Sequence, residues 1–117
     1  MLEPRITVPV LRVLQAFLIA GAAERLYGLQ LTDQTGLKSG TLYPVLARLE
    51  KAGWVVSAWE EVDPRDVGRP RRRYYELSGV GQRAGTAALA EFIELTQRAH
   101  KPRPTAGKSR SPLWGQA

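Results

Sequence analysis

The stretch Lys38-Ser39-Gly40-Thr41-Leu42-Tyr43-Pro44-Val45-Leu46-Ala47-Arg48-Leu49-Glu50-Lys51-Ala52-Gly53-Trp54 decides how this chain is read. Leu42, Val45, Leu46 and Leu49 recur at the i, i+3, i+4, i+7 spacing that gathers side chains on one stripe of a helix, so this stripe is predicted to face a core. The opposite side carries Gly40, Pro44 and Ala47, nearly without bulk, beside Thr41, Tyr43 and Arg48, which can donate hydrogen bonds. A surface so bare can come very close to something polar. In a basic chain that combination points to a helix seated in a DNA groove.

Working outward, residues 26–35 predict a short second helix, entered through a turn containing Gly28 and closed by Gly36. Leu37 anchors the turn that follows. Ser39 is expected to cap the third helix, and Gly53 to stop it. Two short helices joined by a tight glycine turn, the second amphipathic, form a helix-turn-helix. Farther upstream, Thr7 is expected to cap a first helix that tolerates Pro9 in its opening turn and ends at Gly21. Its face of Val10, Leu11, Leu14, Phe17 and Leu18 is wide enough to pack on the core and on a partner subunit.

Downstream, residues 54–60 and 72–77 are rich in branched and aromatic side chains and read as strands. The turn-rich segment 63–70 between them makes a long hairpin with a flexible, arginine-dense tip. Trp59, Tyr75 and Leu77 are the expected core-facing residues of that hairpin. Ser78 then caps a long terminal helix from Gly79 to Ala99. Its Ala84, Ala88, Leu89, Phe92, Ile93 and Leu95 exceed what one small core needs, which argues for dimerisation. The fold expected is α+β, mainly α: a winged helix-turn-helix with a two-stranded wing and a long C-terminal dimerisation helix.

The chain has 117 residues, which predicts a single domain. Seventeen Lys and Arg against eleven Asp and Glu give a formal charge of +6, a balance that favours polyanionic partners. The lack of cysteine excludes disulfides and thiolate metal sites and fits a cytoplasmic protein. Residues 13–20 are apolar after Arg5 and Arg12, superficially like a secretory signal, but Glu3 and Arg12 break that pattern. The run also falls short of the ~20 residues of a membrane span, so it reads as a buried helix and no membrane partner is expected. The domain is taken as residues 1–100, with about 78–100 as its dimerisation helix and 101–117, rich in Pro, Lys, Arg, Ser and Gly, as a disordered basic tail. Trp114 within that tail is incidental or a weak anchor.

Catalysis would need a nucleophile with its base, paired acids in a cleft, a metal cluster or a phosphate loop, and none of these is visible. His100 stands without a partner in sequence and reads as a solvated residue at a helix end. Gly79-Val80-Gly81 is too short for a dinucleotide fingerprint. Glu60, Glu61, Asp63 and Asp66 could hold a cation, but balancing the neighbouring arginines is the simpler reading. No catalytic residue, metal ligand or cofactor is therefore expected.

The candidate DNA contacts fall in three places. Lys38 and Ser39 lie at the amino end of the third helix, where free backbone amides favour a phosphate. Beside the bare strip of Gly40 and Pro44, Thr41 can meet a base edge or a thymine methyl, Tyr43 a phosphate or the groove wall, and Arg48 a phosphate or a guanine. Pro44 lacks an amide donor, a loss expected to be cheap so early in the helix, and its ring offers a rigid apolar contact. In the hairpin, Arg69, Arg71, Arg72 and Arg73 can enter a narrow minor groove or form a solvated charge run. Finally, Tyr27 can reach a phosphate or lie in the core as an aromatic.

Tyr27-Gly28-Leu29, then residues 40–53, then residues 68–78, in that order, resemble the PadR family of winged-helix transcriptional regulators, with the likeness extending over about residues 5–98. The resemblance implies a homodimeric repressor of a pseudo-palindromic operator, with the third helix in the major groove and the wing near the minor groove. It also implies that the first and terminal helices build the dimer, which makes Leu11, Leu14, Leu18, Leu89, Phe92 and Ile93 the expected interface. A single terminal helix places the chain with the short members of that family, some of which respond to a small hydrophobic or phenolic effector. Two other uses of the same fold remain open at this point: a protein-interaction module, and an architectural DNA binder without sequence preference.

Overall fold

The computed structural model describes residues 3–21 and 24–99; His100, Trp114 and the expected basic tail lie outside them. The first helix, α1 (Val8–Ala20), begins where the Thr7 hydroxyl accepts the Val10 N–H at 3.3 Å, with Pro9 in the opening turn as expected. It buries Val10, Val13, Leu14, Ala16 and Phe17 at the centre of the core. Leu14 is 0% exposed, so it has no surface to offer a second subunit.

The second helix starts later than its sequence suggests. Leu26–Tyr27 form a short strand, β1, and α2 spans Gly28–Thr35. The two residues are held extended because they pair antiparallel with the hairpin's return strand, Leu26 opposite Tyr75 and Tyr27 opposite Tyr74. Gln30 then reaches back to accept the Tyr27 N–H at 3.0 Å, which fixes the start of α2. At the other end Gly36 takes φ +73°, a left-handed turn suited to glycine, and its N–H donates to the Thr32 carbonyl.

The third helix, α3, covers Ser39–Lys51. Its cap is Lys38, not Ser39: the extended backbone sits one residue earlier, and the Lys38 carbonyl accepts the N–H groups of Thr41 and Leu42, both at 2.9 Å. Leu42, Val45, Leu46 and Leu49 are buried as the periodicity predicts. The helix closes through Ala52 and Gly53, whose φ of +80° turns the chain toward Trp54.

Strands β2 (Val55–Trp59) and β3 (Arg73–Leu77) form the expected hairpin, from Val55 opposite Leu77 to Trp59 opposite Arg73. With β1 they make a three-stranded antiparallel sheet in the order β1-β3-β2, one strand more than the wing alone. The tip also departs from the expected loose turn. Asp63 caps a single-turn helix, α4 (Pro64–Val67), by accepting the Arg65 N–H at 2.9 Å. Tyr75 and Leu77 are buried, whereas Trp59 is 57% exposed. Trp59 does share a sheet face with Val55 and Ser57, but it lies beyond the point where Ser57 meets Glu50 of α3, so no core remains beneath it.

The last helix, α5 (Gly79–Ala99), is joined to this framework by Ser78. The Ser78 hydroxyl accepts the Gly81 N–H at 3.0 Å and donates to the Gly53 carbonyl at 2.5 Å, and its N–H donates to the Trp54 carbonyl at 2.9 Å. Gly81 and Gly85 bring α5 close: a methyl group at Gly81 would collide with the Trp54 carbonyl, and one at Gly85 would lie 3.2 Å from Leu14. Beyond Leu89 the helix leaves the core, with Phe92, Ile93 and Leu95 exposed.

Candidate DNA-binding surface

The exposed side of α3 gathers Lys38, Ser39, Gly40, Thr41, Tyr43, Pro44 and Arg48 into one continuous surface, as the sequence predicts. Two of these residues cost the helix something. Pro44 is the sixth helical residue, past the first turn, so it has no N–H to return to the Gly40 carbonyl four residues back. The loss is therefore a full helical hydrogen bond and not the free one expected at a helix start. Gly40 is less favourable in a helix than alanine by about 0.5–1 kcal/mol.

Among the described residues, no contact explains that cost at Gly40. A Cβ there would have nothing within 4 Å, in contrast to Gly28 and Gly81, where it would collide with neighbours. Gly28 opens α2 directly under the Tyr43 hydroxyl. This contact seats the Tyr43 ring across the start of α2 while leaving it 46% exposed. Sequence reading treats Gly28 as a turn residue and misses that it supports Tyr43; the partner lies 15 positions away.

The hairpin arginines are more occupied than their density suggests. Arg69 donates from both terminal nitrogens to Glu60, at 2.7 and 2.9 Å, a bidentate pair that holds the Glu60 carboxyl at about pKa 2 and pushes the guanidinium up. Glu60 also accepts the Arg72 backbone N–H at 3.1 Å. Arg71 donates Nε to the Val62 carbonyl at 2.8 Å. Arg73 donates to the Ser57 hydroxyl at 2.8 Å, and Ser57 in turn donates to Glu50 at 2.6 Å, which ties the sheet to α3. Tyr75 lies close by, its phenol pushed up by burial. The acidic cluster does balance neighbouring arginines, through Glu60 with Arg69 and Asp63 with Arg65.

Arg72 differs from the other three in that its guanidinium donates no hydrogen bond among the described residues. Its guanidinium lies over the Tyr27 ring, 4.0 Å from the centroid, and Tyr27 meets Tyr74 edge-to-face at 5.6 Å. Arg25 lies over Tyr74 at 4.7 Å. Tyr27 is thus neither a plain core aromatic nor an isolated hydroxyl; it is half-buried within a stack. Arg25 has no motif around it in sequence, and only the pairing of β1 with β3 reveals its position.

Away from α3 in sequence, Ile6, Val8, Leu11, Ala88, Phe92 and Leu95 line most of a groove of about 440 Å³ between α1 and α5. Of the expected interface residues, Leu11 and Phe92 border this groove and Ile93 is exposed, while Leu18 and Leu89 are partly buried against the core.

The family described as the PadR-like transcriptional regulators matches residues 19–87, more than half of the chain. The chain belongs to this family. It is a DNA-binding transcriptional regulator, and its family is not an enzymatic one.

Solved structures agree with the PadR-like fold. A PadR-like transcription factor from Bacteroides fragilis is 25% identical, with 79% of this chain and 88% of that one covered and a TM-score of 0.59. The protein smu.1704 from Streptococcus mutans UA159 is 24% identical, with 90% of this chain and all of that one covered and a TM-score of 0.61. The PcaV transcriptional regulator from Streptomyces coelicolor, solved with its natural ligand, is 21% identical over 88% of this chain and 67% of that one, with a TM-score of 0.69. No curated protein sequence matches the chain. No helix among the described residues is long and apolar enough to cross a membrane.

Proposed function

We propose that this regulator is a cytoplasmic homodimeric repressor that reads a pseudo-palindromic operator through the exposed face of α3. The observation that carries the reading is Gly40. It is a costly residue with open space around it, one turn before Pro44 on a face that Thr41, Tyr43 and Arg48 border. Bareness that the subunit does not use suits a base-pair edge brought against the helix. Thr41 and Tyr43 are then the readers, Lys38 and Ser39 phosphate contacts at the helix start, and Arg48 a phosphate contact farther along. In the wing, Arg71 and Arg72 keep terminal nitrogens for DNA, whereas Arg69 has both of its own on Glu60.

The exposed Phe92, Ile93 and Leu95, together with the groove at Leu11, support a dimer built by α1 and α5. The same apolar groove is the place that a small hydrophobic or phenolic effector would enter. Selection of bound duplexes from a random pool tests the operator reading, and an inverted repeat is expected. Recovery of sequences without any shared motif would instead support an architectural binder, and absence of duplex affinity a protein-interaction module. Sedimentation at micromolar concentration tests the dimer: a monomer mass would overturn it.

A further inference from the structure

We infer that Arg25 and Arg72, at opposite ends of the Tyr27–Tyr74 pair, form a clamp for two phosphates of one DNA strand, separate from the base-reading face of α3. The inference rests on the operator reading above and adds a backbone site to it. Because Tyr27 and Tyr74 are cross-strand partners, both rings stand on the outer face of the sheet. Residue 25 precedes Tyr27 by two positions and residue 72 precedes Tyr74 by two, so the antiparallel pairing carries the two arginines to opposite ends of the ring pair. Each then leans diagonally over the ring of the other strand, 4.7 and 4.0 Å from the centroids.

Stacking uses the flat face of a guanidinium and leaves its in-plane N–H groups available. Among the described residues neither guanidinium donates a hydrogen bond, and no carboxylate lies within 4.0 Å of either. Glu60 is the acid nearest in charge to Arg72, but it is already bound to Arg69. The rings therefore orient two cations without neutralising them. Acidic side chains could have done the orienting, as they do for Arg69 and Arg73, but at the expense of affinity for an external anion.

The position of the clamp selects its ligand. Tyr27 ends where Gly28 opens α2, and Gly28 lies against the Tyr43 hydroxyl on the α3 surface, so the stack borders the proposed DNA face. Two cations set apart by a pair of rings suit successive phosphates of a strand better than one small anion, which would contact a single guanidinium.

The test is the salt dependence of binding by fluorescence anisotropy, measured on a selected duplex and on an unrelated one. Arg25→Gln is expected to lower the slope of log K against log salt by about 0.9, equivalent to an affinity loss of about eightfold at 0.1 M salt. The loss should be equal for both duplexes, because a phosphate contact carries no sequence information. Arg72→Gln should act alike, Tyr27→Leu should reproduce the effect of Arg72→Gln by removing its support, and Arg25→Lys should restore the slope. Arg98→Gln, which removes the same charge from α5, should leave the slope unchanged. An Arg25→Gln protein with the wild-type slope and full affinity overturns the clamp while leaving the operator reading intact. A wild-type chain that binds no duplex overturns the reading beneath it.

Discussion

Helices α3 and α5 both carry glycine in their first turn, and the two glycines face opposite ways. Gly81 turns inward against the Trp54 carbonyl, where nothing larger fits, while Gly40 turns outward into open space. Within one subunit, the same residue type serves packing in one helix and is unused by packing in the other. A glycine that the fold requires is explained by the fold. One that it does not require directs attention to what binds from outside.

Substitution tests this contrast most severely at Gly81. Gly81→Ala should destabilise the protein by about 3 kcal/mol or more, because backbone opposes the new methyl group and only α5 as a whole can yield. A thermal midpoint about 10–15 °C lower is the expected readout, and an unchanged midpoint would show that the seam can open freely. Gly28 should fall between the two extremes. Gly28→Ala displaces a side chain instead of backbone, so a loss of about 1–3 kcal/mol is expected, and Tyr43→Ala in the same chain should relieve much of it. Additive losses in that double variant would contradict direct seating of Tyr43 on Gly28.

On the outward side, Thr41→Ala should reduce discrimination between operator and unrelated duplex by about 1–3 kcal/mol with little change in folding stability. Gly40→Ala should have the opposite sign from Gly81→Ala in stability, a gain of about 0.5–1 kcal/mol, together with weaker operator binding. A stabilised variant that retains full operator affinity would mean that the bare strip is not used.

The smallest effect belongs to the wing, where Glu60 is held at about pKa 2 by Arg69, well below its ordinary value of 4.5. A carboxylate that stays ionised more readily in the folded chain contributes stability fully present above pH 4.5, and loses it as the pH falls toward 2. Solvent around the pair limits its size. Glu60→Gln should flatten that part of the acid denaturation curve, as followed by circular dichroism.

Much of this was legible in sequence because helical periodicity and caps are local. The stripe Leu42, Val45, Leu46 and Leu49, the Thr7 and Ser78 caps and the glycine stops all depend on neighbours a few residues apart. Strand β1 escaped because two residues cannot display an alternation, and its extended form is imposed by Tyr74 and Tyr75 from far along the chain. Trp59 was misassigned for a related reason: alternation gives the correct face but not where the underlying core ends. The arginine-rich wing shows the same limit at the candidate site. A sequence displays Arg69, Arg71, Arg72 and Arg73 as equals, and only the fold shows that Glu60, the Val62 carbonyl and Ser57 engage three of them while Tyr27 merely aligns the fourth.

The seam at Ser78 makes a mechanical joint of the end of α3. Gly53, Trp54, Ser78 and Gly81 are fastened by three hydrogen bonds, two of them through the short Ser78 hydroxyl, and by one backbone-to-backbone contact. Close-packed groups transmit displacement instead of absorbing it. Any tilt of the protruding half of α5 therefore acts as a lever whose fulcrum lies at the C-terminal end of α3.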